Sequence, residues 1–463
     1  MSHNRLVISA PKSGSGKTLI TIALMQAFLD QGKKVSGFKC GPDYIDPLFH
    51  QKVLGIPSKN LDLFFTDEIK TRALFQAENN SDLSIIEGVM GLYDGLSATS
   101  DEASTYRLAA ALKAPLILVI DARGMAFSVI AEIKGFLSLD IQGLIKGVIL
   151  NNTSKALCEK LRPVIEEKCG IALLGCFPNQ KDLEIESRHL GLKLPDEISD
   201  IKEKVKLAAE RIKKSVDLGR LFEIAQSAPD LPPEEALPSE EVLPSEEALP
   251  AGKVTLLPLR IALARDQAFC FYYEDNLRLL RSLGADLVEF SPIHDKALPP
   301  DISGLILGGG YPEFYAGALE ANESLRQEIR QKIEQGLPSL AECGGFMYLH
   351  NTIQTHDKSV YKMAGVINAD VRYTGKLVRF GYASVKDKKG FFCRKEIRGH
   401  EFHYFDSSDN GSDCLVTKTS GQNYETAQVT ENHFWSFLHL YYPSNPEFAA
   451  NFVEKCRRYS EKL

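Results

Sequence analysis

The chain has 463 residues, 44% hydrophobic and 25% charged, which is more than one ordinary core holds and sets two globular domains as the expectation. No apolar run approaches the ~20 residues that span a bilayer, the first residues enter a strand without a signal-peptide core, and nine cysteines without a CxxC pair or framework spacing suit reduced thiols in a cytoplasmic enzyme. The formal charge of −7 is concentrated between Pro229 and Pro250, where seven acidic residues stand without a Lys or Arg, so the remainder is near neutral and lacks the basic face of a nucleic-acid binder.

In chain order, the first predicted strand (5–9) runs into Ala10-Pro-Lys-Ser-Gly-Ser-Gly-Lys-Thr18 and an amphipathic helix over 18–30. Successive N–H groups at Gly14, Ser15 and Gly16 and the helix N-terminus are suited to cradle ATP phosphates. Lys17 then reaches the β- and γ-phosphates, and Thr18 offers its hydroxyl to Mg²⁺. Pro11 replaces the usual first glycine of this pattern, but the strand–loop–helix context restores the reading. Lys12 reads equally as a phosphate contact or a solvated loop residue.

Further apolar runs at 34–39, 83–87, 115–121, 146–151 and 171–177 alternate with helical stretches, predicting a doubly wound parallel sheet. Ligands of such sheets bind at the carboxyl ends of strands. Asp43 and Asp46, stiffened by Pro42 and Pro47, follow one strand end and are expected to project into the cleft; Glu87 ends another, and Asp94 lies just beyond it. Any one of these acids could be a solvated loop residue, but four beside a phosphate loop suit Mg²⁺ or phosphoryl transfer. Asn151 ends a further strand and reads either as an adenine contact or as a turn residue. Arg188 and His189 suit acidic groups on a substrate, although a surface Arg-His pair is common.

Glu234-Glu-Ala-Leu-Pro238, Glu240-Glu-Val-Leu-Pro244 and Glu246-Glu-Ala-Leu-Pro250 repeat with a six-residue period. Proline and like charge oppose regular structure, so 227–252 is expected to be a linker between domains at 1–226 and 253–463. Beyond it, runs at 260–264, 286–290, 304–307 and 339–342 continue the α/β alternation, and 381–385, 401–405 and 436–441 are expected as antiparallel additions.

Pro338-Ser-Leu-Ala-Glu-Cys-Gly-Gly345 reads as strand, elbow and helix. The elbow is expected to expose Cys343 and lower its pKa through the positive end of the helix. N–H groups of Gly309 and Gly344 are placed to stabilise an oxyanion, and His439 is the candidate base. His400 and His403 could suggest a metal pair, but no cysteine or carboxylate constellation completes one. Trp435 and Phe437 are expected in the core.

The Gly308-Gly-Gly310 turn, the Cys343 elbow and the late histidine resemble the class I glutamine amidotransferase domain. The glutamate that family usually carries two residues after its histidine is Tyr441 here, as in the cobyric-acid-synthase-like branch. Gly41-Pro-Asp-Tyr-Ile-Asp-Pro47, Glu87-Gly-Val-Met-Gly-Leu-Tyr-Asp94, Arg188-His-Leu-Gly-Leu192, Gly309-Gly-Tyr-Pro-Glu313 and Gly399-His-Glu-Phe-His403 together resemble the cobyrinate a,c-diamide synthase family. The resemblance covers nearly the whole chain apart from the linker. It implies a dethiobiotin-synthetase-like P-loop domain joined to an amidotransferase domain, with ATP, L-glutamine and a corrinoid as partners. Cys343 and His439 would release ammonia from glutamine, with Gly309 and Gly344 holding the oxyanion and a shielded route carrying the ammonia. Thr18, Glu87 and Asp43 would hold Mg²⁺, while Asp43, Asp46, Asp94 and Arg188 would serve the acceptor or phosphoryl transfer. The products would be ADP, phosphate and amides at the a- and c-carboxylates. Two rival readings are the same chemistry on hydrogenobyrinic acid or a nickel sirohydrochlorin, and a non-enzymatic P-loop switch with a ligand-binding thiol domain. No nucleic acid or membrane is expected as a partner, and a homodimer is compatible with the sequence.

Overall fold

A computed structural model describes residues 3–77, 79–178, 183, 187–188, 191–192, 198, 200–232 and 259–462. The acidic repeat expected as a linker lies outside the described residues, as does His189, and the side chain of Arg188 is likewise not described. The chain divides into two compact units, Met1–Leu237 and Pro238–Leu463.

In the first unit the strands are β1 (Arg5–Ser9), β2 (Val35–Cys40), β3 (Ser58–Leu61), β4 (Leu83–Glu87), β5 (Leu116–Asp121), β6 (Ile145–Asn151) and β7 (Ala172–Phe177). They form one parallel sheet in the order β3-β2-β4-β1-β5-β6-β7. Every residue of β1 and β4 is buried, which explains why both read as continuous apolar runs. Helix α1 (Lys17–Asp30) leaves the loop after β1, and α2 (Ile45–Leu54) leaves the loop after β2. The sequence reading missed β3, whose Ser-Lys-Asn-Leu composition carries one apolar residue and which pairs only at the sheet edge.

The second unit has a six-stranded sheet in the order Ala285–Phe290, Leu259–Ala264, Gly304–Leu307, Ser339–Glu342, His433–Ser436, Gln428–Val429. It is parallel except at the last strand. A five-stranded antiparallel sheet holds Arg379–Asp387 beside Ile397–His403, which pairs with His439–Leu440.

Here the structure corrects the reading of 436–441 as one antiparallel strand. His433–Ser436 runs parallel to Ser339–Glu342 in the main sheet, and the chain then crosses to the other sheet at His439. Ser436 makes the break, because its Oγ accepts the N–H of Leu438 at 3.1 Å and so turns the chain. The run expected at 401–405 divides likewise into Ile397–His403 and Phe405–Ser407, which belong to different sheets.

Candidate active sites

The chain leaves β1 into a loop whose Gly14 and Gly16 take φ of 76° and 91°, conformations costly for residues with a Cβ. A Cβ on Gly16 would also lie 2.2 Å from Asn151 Nδ2. That close approach matters, since Asn151 Nδ2 donates to the Ser15 carbonyl at 2.8 Å and its Oδ1 accepts the Asn152 N–H at 2.9 Å. Asn151 therefore acts on the shape of the loop, and its amide is committed there. Lys17 is buried and donates through Nζ to the carbonyls of Lys12 (3.1 Å) and Met90 (2.5 Å). Burial, then the Lys39 charge, lowers its pKa to about 8. Gly14, Gly16, Lys17, Thr18, Lys39 and Glu87 line one open cleft.

Thr18 and Glu87 meet as expected: the Thr18 hydroxyl donates to Glu87 Oε1 at 2.6 Å. The buried Glu87 Oε2 has no hydrogen-bond partner among the described residues, with His50 Nε2 3.8 Å away. A hydroxyl and a carboxylate with a free oxygen are hard donors that fit Mg²⁺. Among the described residues no group of three His, Cys, Asp or Glu side chains forms a metal cluster, so nucleotide and water oxygens would complete the shell. Asp43 is not part of this pair. Its Oδ1 instead accepts the Ile45 N–H at 2.9 Å at the start of α2, and it makes no hydrogen bond or ion pair with Thr18 or Glu87. The side chain of Asp94 also closes a turn, accepting the Gly91 N–H at 2.8 Å.

Asp46, expected to project into the cleft, is buried and ion-paired with Lys39, which also reaches Glu87 at 3.1 Å. Burial disfavours the Lys39 ammonium, but the Asp46 and Glu87 carboxylates outweigh it and raise its pKa. Burial and the Glu87 charge push Asp46 upward; burial acts the same way on Glu87, but Lys39 and His50 hold Glu87 low. Sequence reasoning passed over Lys39. The available signal was a lysine at the end of a strand buried on both faces, which needs counter-charge nearby.

In the second unit Cys343 stands at the elbow with φ 47° and ψ −102°. Such a backbone costs on the order of 1–3 kcal/mol in a non-glycine residue. Its N–H donates to the Ser436 carbonyl (2.8 Å) and its carbonyl accepts from Met347 (2.9 Å), which fixes the turn. The expectations of an exposed thiol and a lowered pKa are both corrected, since Cys343 is only 8% exposed. Burial, followed by the Glu313 charge and then Glu342 and Glu401, raises its pKa against the opposing Gly344 N–H. The helix beyond it, Gly344–Leu349, has six residues, too short to reverse that balance. At rest the sulfur carries its proton.

His439 is buried and its pKa falls to about 3, through burial and then the His403 charge, so its imidazole is neutral and able to accept a proton. A Cβ on Gly309 would come within 2.4 Å of His439 Cε1, so glycine is needed for the ring to approach the turn. The elbow meets the same turn, because Gly345 N donates to the Gly308 carbonyl at 2.9 Å. His400 stacks on His439 with ring centroids 4.9 Å apart, and Tyr273 Oη lies 3.1 Å from His400 Nδ1. Tyr441, at the position of the missing glutamate, donates to Asp275 at 2.9 Å. Trp435 and Phe437 are buried as expected. Glu342, next to Cys343, was not singled out from the sequence; burial pushes its carboxyl up to about 8 even though Tyr442 donates to it at 3.1 Å.

Residues 6–192 match the CobQ/CobB/MinD/ParA nucleotide binding domain, and residues 260–446 match the CobB/CobQ-like glutamine amidotransferase domain. A P-loop nucleotide fold and a thiol amidotransferase fold in one chain define a glutamine-dependent amidating ligase. Curated relatives named cobyrinate a,c-diamide synthase match over almost their full length. That of Priestia megaterium is 36% identical over 99% of this chain and 98% of its own. That of Picrophilus torridus is 39% identical over 98% and 99%, and that of Dehalococcoides mccartyi 38% over 98% and 98%. The chain belongs to the cobyrinate a,c-diamide synthase family. Among the described residues no helix is long and apolar enough to cross a membrane.

Two outcomes test this geometry. Lys39→Met strands two buried carboxylates and should destabilise the first unit by about 3–5 kcal/mol. Adding Asp46→Asn should recover part of that loss, and strictly additive losses in chemical denaturation would contradict the coupling. Glu342 has a folded pKa near 8 against 4.5 for an ordinary glutamate, so the unfolded state loses its proton first as pH rises. Wild-type stability should therefore fall through that window by about 1.4 kcal/mol per pH unit. The thermal advantage of Glu342→Gln over wild type should grow from pH 5 to about 8 and then level; a pH-independent difference would contradict a protonated Glu342.

Proposed function

We propose that the chain amidates the a- and c-side-chain carboxylates of cobyrinic acid, taking nitrogen from glutamine and cleaving one ATP to ADP and phosphate for each amide. The reading rests on the phosphate loop with its Thr18–Glu87 contact and on the buried Cys343 elbow beside the glycine turn. It is supported by relatives whose names carry that substrate.

In the second unit, Cys343 Sγ attacks the amide carbon of glutamine as its proton passes to neutral His439. N–H groups of Gly309 and Gly344 hold the oxyanion. The C–N bond breaks, the nitrogen takes the proton from His439 and leaves as NH₃, and water then hydrolyses the thioester to glutamate. Burial of both partners favours this order, since neither carries a charge before attack.

In the first unit, N–H groups of Gly14, Ser15 and Gly16 hold the ATP phosphates together with Lys17, and Asn151 keeps the loop in shape. Thr18 and Glu87 would hold Mg²⁺, which would supply positive charge to the transferring phosphoryl group. An oxygen of the corrinoid carboxylate attacks the γ-phosphorus, ADP leaves, and NH₃ displaces phosphate from the acyl phosphate. Lys39 sets the charge at the strand ends through Asp46 and Glu87. Asp43, Asp94 and Arg188 belong to the acceptor side.

Cys343→Ala should lose glutamine-dependent amidation by about a thousandfold or more while retaining synthesis from ammonium chloride. Loss of both in a folded variant would contradict the division of labour. Mass spectrometry should count two new amides on cobyrinic acid; efficient diamidation of hydrogenobyrinic acid or nickel sirohydrochlorin in its place would overturn the substrate assignment.

A further inference from the structure

The roles given to Cys343 and His439 leave part of the Gly399-His-Glu-Phe-His403 string unexplained. On the Ile397–His403 strand, Glu401 and His403 share one face and His400 takes the other. Glu401 is 0% exposed and His403 4%. Glu401 Oε2 accepts the Tyr424 hydroxyl and lies 3.4 Å from Lys418 Nζ. Its Oε1 has no hydrogen-bond partner among the described residues, and the Arg379 guanidinium stays 3.7 Å away. His403 Nδ1 lies 2.7 Å from the Phe405 carbonyl, which can only accept, so Nδ1 carries the hydrogen. In the neutral ring that burial favours, Nε2 is then an acceptor. It too is without a partner among the described residues, 4.0 Å from Glu401 Oε1.

Two buried acceptors therefore face one another, and leaving either unmet costs stability. What relieves them is a small molecule with at least two N–H or O–H donors. The pair connects to the segments that carry the reacting groups through packed rings. The His403 ring lies flat on Phe437, with centroids 4.2 Å apart. Phe437 packs edge-on against Phe346, in the helix that follows Cys343. The reaction proposed for this unit releases such a donor, since breaking the glutamine C–N bond and moving one proton from His439 yields NH₃, with three N–H bonds.

We propose that Glu401 Oε1 and His403 Nε2 form a receiving site for the departing amide nitrogen, binding it as ammonia through two N–H bonds. The site retains the nitrogen while the thioester is hydrolysed. The inference rests on the glutaminase reading of Cys343 and His439.

The test uses the full chain with ATP, glutamine and the corrinoid acceptor, counting glutamate released and amides formed. In Glu401→Gln and His403→Gln the glutamine consumed per amide should rise by about fivefold or more, whatever the absolute rate. An unchanged ratio in both variants assigns the space to water or to structure alone and overturns the proposal. Wild-type protein gives an arm that does not depend on variant folding. Ammonium chloride should inhibit glutamate release saturably where equal tetramethylammonium chloride does not, and identical effects of the two salts would also overturn it. If the wild type released no glutamate at all, the reading of Cys343 and His439 would fall instead.

Discussion

At the end of β2 the Lys39 ammonium lies out of water between Asp46 and Glu87, and the charge state of the nucleotide unit depends on that triplet. Removing a charge from water is costly, and a buried ion stays charged only where partners replace its hydration. Glu87 remains an anion able to meet Thr18 because Lys39 is there, and Lys39 remains a cation because two acids flank it. A parallel sheet brings these residues together from strands distant in sequence, since all its carboxyl ends point one way.

The same desolvation has the opposite outcome in the second unit. Burial is the largest influence on Cys343 and His439 and holds them as thiol and neutral imidazole. Glu342, equally buried, keeps its proton to about pH 8. The groups therefore rest uncharged, and in the proposed reaction charge separates only as the sulfur attacks. That suits acyl transfer in a water-poor site, where the oxyanion and imidazolium form together next to backbone N–H groups.

Much of this was legible from residue order. The phosphate loop, the four strand-end acids, the glycine turn and the cysteine elbow all stood out, because each needs residue types with few substitutes. What escaped the sequence depended on tertiary context. β3 is too polar to announce itself and pairs only at an edge. The run at 436–441 splits because one serine turns the chain between two sheets, which no period can reveal. Cys343 was expected at the surface because an elbow projects its side chain, yet its elbow is tied to the glycine turn and to Ser436 and the side chain is buried. Asp46 was expected in the cleft because prolines flank its loop, whereas Lys39 draws it inward.

In the proposed reaction a thiol frees nitrogen and a phosphate loop activates the acid that receives it. The most direct test is a double-label turnover: cobyrinic acid with ¹⁸O in its carboxylates, [amide-¹⁵N]glutamine and ATP, followed by mass analysis of the amides and the inorganic phosphate. Each amide should carry ¹⁵N, and each phosphate one ¹⁸O taken from the carboxylate. Phosphate free of ¹⁸O in the presence of labelled amides would contradict activation through an acyl phosphate.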